Sequence, residues 1–134
     1  MAYRFLPHTA DIKFEAEAKS FLALLKESAK ALLLVMGPEK KVEEKITKKI
    51  KLKVKNKEEL LYGFLEEFLY LLDAKDFIGS KIKKISVGKS LECEVVGDRA
   101  SRYNLSTYVK AITYSEMKIT KTKKGFKCQI VLDI

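Results

Sequence analysis

Residues 12–36 read IKFEAEAKSFLALLKESAKALLLVM, and the spacing of their apolar residues changes at Ser20. Up to Lys19 apolar and charged residues alternate, which is typical of a strand with one buried and one solvated face. Ser20 is a residue type that caps helix N-termini, and after it the apolar residues recur at helical spacing through about Met36. The Gly37-Pro38 pair ends this pattern. This stretch therefore predicts a strand followed directly by a helix.

The remainder of the chain repeats both patterns, with more strand than helix. Asn56 and Glu59 form a capping box that predicts a second helix, ending near Asp73. Strands are predicted at residues 3–6, 50–54, 82–87, 91–96, 108–114 (continuing through 117–120) and 126–134, and residues 97–106 are expected to be irregular. The order does not alternate as in a doubly wound fold. We predict one α+β domain over residues 1–134, a compact sandwich with two helices packed on mostly antiparallel β-sheet.

The net charge of +9 is carried almost wholly by lysine, with only three arginines, at 4, 99 and 102. Base-specific recognition favours the planar guanidinium of arginine, so this composition does not indicate it. Two explanations remain open. The abundance of Lys and Glu with one glutamine and two asparagines is typical of a hyperthermophile, and we place this slightly ahead of nucleic-acid binding.

The apolar runs and the first residues of the chain predict a cytoplasmic protein. No apolar run approaches the roughly 20 residues that span a bilayer, and the chain begins without a charged-then-apolar leader, so we expect no membrane contact and a cytoplasmic location. Cys93 and Cys128 both fall on apolar faces of predicted strands, which favours buried thiols but leaves a disulfide open. A single histidine nearly excludes a Cys/His zinc site.

Acidic groups stand at both ends of the sequence. Asp11 precedes the first alternating strand, and the chain stops at Asp133 and Ile134, where Asp133 faces away from the apolar row. If these strands are neighbours, two carboxylates and the chain terminus converge, and their mutual repulsion would favour a hard divalent cation. Each residue alone also fits a structural role: Asp133 as a solvated strand-end carboxylate, and His8 with Asp11 as partners for local backbone groups.

Candidate catalytic groups are sparse. His8 is the only base available to a Ser–His–Asp arrangement, and the six glycines form no phosphate-binding loop. The basic strand at 50–54 and the lysines of 118–127 are candidates for contact with RNA phosphates. Tyr103, Tyr108 and Tyr114 could stack on bases, although tyrosines in strands are more often packed against neighbours.

Four blocks of sequence, in order along nearly the whole chain, resemble the archease family. They are His8-Thr9-Ala10-Asp11-Ile12, then Leu60-Leu61-Tyr62 with Leu69-Tyr70-Leu71-Leu72, then Val109-Lys110-Ala111-Ile112-Thr113-Tyr114, and finally Val131-Leu132-Asp133-Ile134.

The resemblance implies a strand-helix-strand-strand type of fold with an inserted segment, and an accessory protein rather than an enzyme. It also implies an RtcB-type RNA ligase as partner, which joins tRNA exons using GTP and Mn²⁺ and whose guanylylation and multiple turnover archease promotes. A chaperone role toward a tRNA methyltransferase is implied as well. A lysine-rich tRNA chaperone that does not contact the ligase is the alternative that we keep.

The resemblance further implies a divalent cation, Ca²⁺ ahead of Mg²⁺ or Mn²⁺, held by Asp11, Asp133 and Ile134. Lys110 is implicated in function, and His8 belongs to the motif without being expected to bind the cation. The chain departs from many archaeal members in two places, because residues 98–107 contain no histidine and Ser115 follows Tyr114.

Overall fold

The structure, a computed structural model, describes residues 2–6 and 11–134 apart from the side chain of Ser115, so His8 lies outside the described residues. Two helices pack on antiparallel sheets, which confirms the predicted α+β class. In order, the elements are β1 (Ala2–Leu6), β2 (Ile12–Ala18), α1 (Phe21–Met36), β3 (Ile46–Lys53), α2 (Lys57–Lys75), β4 (Phe77–Val87), β5 (Ser90–Arg99), a 3₁₀ turn (Ala100–Arg102), β6 (Ala111–Thr122) and β7 (Gly125–Asp133).

Both helices begin where the sequence predicts. The Ser20 hydroxyl accepts a hydrogen bond from the Ala23 N–H at 3.1 Å, and the Asn56 side chain accepts one from the Glu59 N–H at 2.9 Å. Each cap satisfies a backbone donor that has no partner inside its helix. At the other end of α1 the Gly37 N–H donates to the Leu33 carbonyl at 2.7 Å, and the helix stops there as expected.

The strands form two sheets that are joined through the helices. A four-stranded sheet has the order β1-β2-β7-β6, and a three-stranded sheet has the order β3-β5-β4. α1 contacts β2 and β7 of the first sheet and β4 of the second, and α2 contacts β6 of the first and β3 and β4 of the second. The core therefore lies between the helices and the inner faces of both sheets, around fully buried side chains such as Phe14, Phe64 and Phe77.

Several strand boundaries differ from the prediction: β3 begins at Ile46 rather than at residue 50, and β4 begins at Phe77 rather than at residue 82. β5 continues through Arg99 because Phe77 and Ile78 of β4 reach back to pair with Arg99 and Asp98. β6 begins at Ala111 rather than Tyr108, although Val109 is buried as its apolar character predicts. Burial is thus predictable at Val109, whereas ladder pairing needs a partner strand that local sequence does not reveal.

The prediction of two buried thiols is confirmed, because Cys93 and Cys128 are both free and buried. Cys93 lies in the three-stranded sheet and Cys128 in the four-stranded sheet, where its sulfur is 3.3 Å from the Ser28 hydroxyl. In residues 2–6 and 11–134 there is no helix long and apolar enough to cross a bilayer.

Candidate functional site

The two ends of the sequence meet in the four-stranded sheet. β2 pairs antiparallel with β7, with Ile12 opposite Leu132. Asp11 directly precedes Ile12, so the same register continued by one residue sets Asp11 opposite Asp133. β6 flanks β7 on its other side, where Ala111 pairs with Asp133. Asp11 lies just before β2 and Asp133 ends β7, so the structure places both residues at the same end of this strand pair, while their role as metal ligands remains a prediction.

The chain terminus and Lys110 are held at the same place, which we call the carboxylate edge (Asp11, Lys110, Asp133 and Ile134). The Lys110 N–H donates to the Asp133 carbonyl at 2.7 Å, which extends the β6–β7 ladder by one residue. Ile134 is 39 % exposed and the Lys110 side chain is exposed. This hydrogen bond holds the end of β7 against the residue that precedes β6.

The face of the sheet can be assigned from the register. Leu132 is fully buried on the inner face, so Asp133 and its partner Ala111 belong to the outer face. Thr113 lies on that same face, two residues along β6, and its buried Oγ1 has no hydrogen-bond partner among the described residues. Buried hydroxyls without a partner are rare and call for an explanation. A ligand or ordered water at this edge would supply one.

The charges on the neighbouring outer face are already paired. Lys13 Nζ lies 3.6 Å from Glu116 Oε1. The Glu15 carboxylate lies 2.8 Å from Arg4 and 3.5 Å from Lys127. The hydrogen bond from Arg4, helped by the charges of Arg4 and Lys127 against a smaller effect of burial, lowers the pKa of Glu15. Lys13, Arg4 and Lys127 are thus each paired with a glutamate.

The donor set at the carboxylate edge fits a hard cation but does not complete a site by itself. Carboxylate oxygens are the ligands that Ca²⁺, Mg²⁺ and Mn²⁺ prefer. Among the residues that the structure describes, no group of three or more His, Cys, Asp or Glu side chains is placed to hold a metal ion. A cation here would use Asp11, Asp133 and the Ile134 terminus, and its other positions would remain open to water or a partner.

A cavity of about 440 Å³ adjoins Asp11, which the sequence did not reveal. Its wall includes Phe5, Leu34 and Thr107, and Leu34 is 59 % exposed although it belongs to an apolar run in α1. Leu34 directly follows the partly buried Leu33, so its apolar character alone could not show that it points outward. The sequence signal for the exposure of Leu34 was its position in the helical period, because it does not lie on the apolar stripe of Leu24, Leu25 and Leu32.

The three candidate stacking tyrosines differ in their surroundings. Tyr103 is packed: its hydroxyl donates to Asp98 at 2.8 Å and accepts from the Glu43 N–H at 3.0 Å. The hydrogen bond from Tyr103 is the largest cause that lowers the pKa of the buried Asp98. The Tyr114 ring lies 4.8 Å from that of Tyr62, whereas Tyr108 is 62 % exposed. Only Tyr108 retains a largely open ring.

Comparison with known proteins places this architecture in context. The model of the Archease protein family (MTH1598/TM1083) matches residues 3–134. Protein archease of Methanosarcina barkeri is 34 % identical over 139 aligned residues, covering 98 % of this chain and 95 % of the relative. Protein archease of Pyrococcus abyssi is 34 % identical over 134 residues, covering 95 % and 94 %.

Two solved structures share the fold. The solution structure of Methanobacterium thermoautotrophicum protein 1598 superposes with a TM-score of 0.80 at 24 % identity, covering 99 % of both chains. The crystal structure of a Thermotoga maritima protein, named as an archease and possible chaperone, superposes with a TM-score of 0.71 at 24 % identity, covering 96 % of this chain and 94 % of that one. At this identity the likeness establishes the fold alone.

Proposed function

Since this chain belongs to the archease family, we propose that it is a metal-binding accessory protein that activates an RtcB-type RNA ligase in tRNA splicing. In this proposal it promotes guanylylation and multiple turnover of the ligase and does not itself catalyse ligation. The observation that supports the proposal is the carboxylate edge, where Asp11 and Asp133 stand at the same end of the paired strands β2 and β7. A cytoplasmic location and Ca²⁺ as the cation belong to the same proposal.

The side chains of the carboxylate edge have separate tasks. Asp11 and Asp133 supply negative oxygens from two neighbouring strands. The backbone N–H of Lys110 holds Asp133, the last residue of β7, in place. A bound divalent cation would offer open coordination positions to a phosphate or to an oxygen of the partner. The exposed Lys110 side chain adds a positive charge next to those positions, which favours a phosphate. This edge can therefore position a nucleotide phosphate for an enzyme that supplies the reacting groups.

Several features support an accessory role over an independent enzyme. His8 is the only histidine in the chain. Burial raises the pKa of the Cys93 thiol to about 11 and also raises the pKa of Cys128, so neither is a ready nucleophile. The relative from Thermotoga maritima carries the name possible chaperone, and a chaperone role toward a tRNA methyltransferase is part of our proposal for this chain.

A guanylylation assay tests the proposal. An RtcB-type ligase is incubated with GTP and Mn²⁺ and with wild-type protein, Asp11→Ala or Asp133→Ala, and the label transferred from GTP is counted. Both variants should lose most of the stimulation. Glu17→Ala is the matched control, because Glu17 is an exposed carboxylate at the other end of β2. Undiminished stimulation by both aspartate variants would refute the proposal.

The position of a tag provides a second test. If the Ile134 terminus contributes an oxygen, extending the chain beyond Ile134 should weaken Ca²⁺ binding, whereas an N-terminal tag should be better tolerated. Isothermal titration of both tagged proteins with Ca²⁺ measures this difference. Equal affinities would restrict the site to the two aspartates.

One observation favours the second candidate, a lysine-rich RNA-binding module that acts without the ligase. Four connections lie at the end of the molecule opposite the carboxylate edge, namely β2–α1, β3–α2, β4–β5 and β6–β7. Two contacts join them: the Val54 N–H donates to the Lys89 carbonyl, and the Lys57 ammonium lies 5.9 Å from the centre of the Phe21 ring. We call this the lysine end, and its exposed lysines, none in an ion pair among the described residues, are Lys19, Lys55, Lys89, Lys123 and Lys124.

Both helices also begin at the lysine end, so the positive ends of their dipoles add to the lysine charge. Phosphate contacts of this kind release counterions, and RNA affinity should fall steeply with salt. Binding of tRNA without ligase, measured across a salt series with Lys123→Glu and Lys124→Glu as variants, tests this candidate. Absence of salt-dependent binding would eliminate it.

A further inference from the structure

A second groove runs along α1, between the edge strands of the two sheets. Its volume is about 590 Å³. The floor is apolar and includes Leu33, Leu34, Val42 and Ile82. The exposed Leu34 also borders the cavity beside Asp11. The apolar surface therefore continues from the α1 groove into that cavity. This continuous apolar lining could accommodate apolar side chains of a ligand.

The walls of this α1 groove are sheet edges. Tyr3 of β1 lines one side, and Gly79 and Lys81 of β4 line the other. Within the described part of the chain, β1 pairs with β2 alone and β4 with β5 alone. The outer edge of each strand therefore presents backbone N–H and C=O groups without strand partners. Such an edge can pair with an added extended segment, whose alternate side chains then enter the neighbouring groove.

The rim of the α1 groove is positively charged. Five lysines and two glutamates line it, and two of the lysines are paired: Lys30 lies 3.4 Å from Glu27, and Lys81 lies 3.4 Å from Glu44. The other three, Lys26, Lys40 and Lys41, join no ion pair among the described residues and are exposed. The groove thus combines an apolar floor with unneutralised positive charge on its rim.

We propose that the α1 groove binds an extended peptide segment of a partner protein that alternates acidic and apolar side chains. The apolar side chains cover Leu33, Leu34 and Ile82, and the acidic ones meet the three unpaired lysines. RNA fits this surface less well, because its phosphates can use the lysines but gain nothing from the aliphatic floor. The inference does not depend on the carboxylate edge, since no cation takes part in it.

Gly79 lies where β4 packs closely against α1. A Cβ added at Gly79 would lie 3.0 Å from Val95 Cγ1 and 3.3 Å from Leu33 Cδ2. Any larger residue would therefore displace the Leu33 side chain from the floor. The absence of a side chain at this position therefore lets the β4 wall lie close against Leu33 of α1.

Fluorescence anisotropy with a defined probe tests the proposal. The probe is a labelled peptide of alternating Glu and Leu, about ten residues long and hence roughly 33 Å when extended. A matched peptide in which Lys replaces every Glu serves as the charge control. The wild-type protein should bind the Glu peptide and not the Lys peptide, and an unlabelled single-stranded RNA should not displace the Glu peptide.

Three variants separate the apolar and charged contributions. Leu34→Asp should weaken binding by about tenfold or more, and so should the double change Lys40→Glu with Lys41→Glu, because each removes about 1.4 kcal/mol or more of binding free energy. Leu34 and both lysines are exposed, so these changes are compatible with folding. The matched control is Lys123→Glu with Lys124→Glu at the lysine end, which should leave the affinity unchanged.

Each contrary result overturns the proposal. If the control at the lysine end weakens binding as much as the groove variants, the peptide is held by net charge alone. If Leu34→Asp binds normally, the apolar floor takes no part. Displacement of the peptide by RNA would assign the groove to nucleic acid instead of an acidic peptide.

Discussion

Asp133→Asn should stabilise the metal-free protein and abolish its stabilisation by Ca²⁺. Continued by one residue beyond the Ile12–Leu132 pair, the β2–β7 register would set Asp11 opposite Asp133, and directly opposed residues in an antiparallel pair have Cβ atoms roughly 5 Å apart. Two unit charges at about 5 Å repel by roughly 1 kcal/mol in water and by roughly 3 kcal/mol at an effective dielectric constant of about 20. Both residues are half-buried at the ends of two central strands, so we expect a gain of about 1 kcal/mol.

Differential scanning calorimetry measures this effect. In chelator, Asp133→Asn should melt about 4 °C above the wild type, as expected for about 1 kcal/mol in a domain of this size. With Ca²⁺ at about a hundred times its dissociation constant, the wild type should gain about 2.7 kcal/mol, and the variant should gain little. The order of stability between the two proteins should therefore reverse when Ca²⁺ is added.

Glu17→Gln is the control for this experiment, because Glu17 lies on the same strand and pairs across to Lys127 rather than to an acid. It should gain no stability in chelator and should respond to Ca²⁺ like the wild type. The reasoning is refuted if Asp133→Asn is less stable than the wild type in chelator, or if Ca²⁺ stabilises both proteins equally.

Three further predictions concern caps, pH and thiols. Asn56→Ala should cost about 1 kcal/mol in urea unfolding because it removes the 2.9 Å cap of α2, and Asn56→Asp should not. Since Arg4 lowers the pKa of Glu15, its carboxylate contributes stability at neutral pH that is lost as the pH falls through that lowered pKa. Glu15→Gln should therefore be less stable than the wild type at neutral pH but equal in strong acid, and a constant difference would contradict this. A thiol reagent at neutral pH should label Cys93 and Cys128 only after unfolding; rapid labelling of the folded protein would show that the thiols are accessible.

The starts of both helices could be predicted because their causes are local. A cap such as Ser20 or Asn56 acts on a backbone N–H three residues away, and the apolar period of a helix is complete within a few turns. The burial of Val109 and the outer-face position of Asp133 followed from the same short-range alternation. The ends of β5 and the start of β6 could not be predicted, because β5 is extended by Phe77 and Ile78 of another strand.

The candidate site was predictable in part. Alternation placed Asp133 on the polar face, and the family blocks pointed to Asp11, Lys110 and Ile134. Nothing local indicated the bulge between Thr113 and Lys118 in β6 or the buried Thr113 hydroxyl without a partner. Leu34 is exposed as its position off the apolar stripe of α1 indicates, but the cavity beside it was not apparent. These features depend on which surface packs over each residue, and that surface comes from a distant part of the chain.

The sequence by itself determined the type and starting points of the helices, the two faces of the strands and the membership of a family. Only the tertiary structure decided that β2 lies against β7, which joins two aspartates from opposite ends of the chain, and that α1 lies between two sheet edges with a lysine rim. The physical reason is the range of the interactions. Capping and helical periodicity act within a few residues. The backbone hydrogen bonds of a strand can be formed with any neighbouring strand, so the choice of partner depends on how the buried faces pack in the whole core.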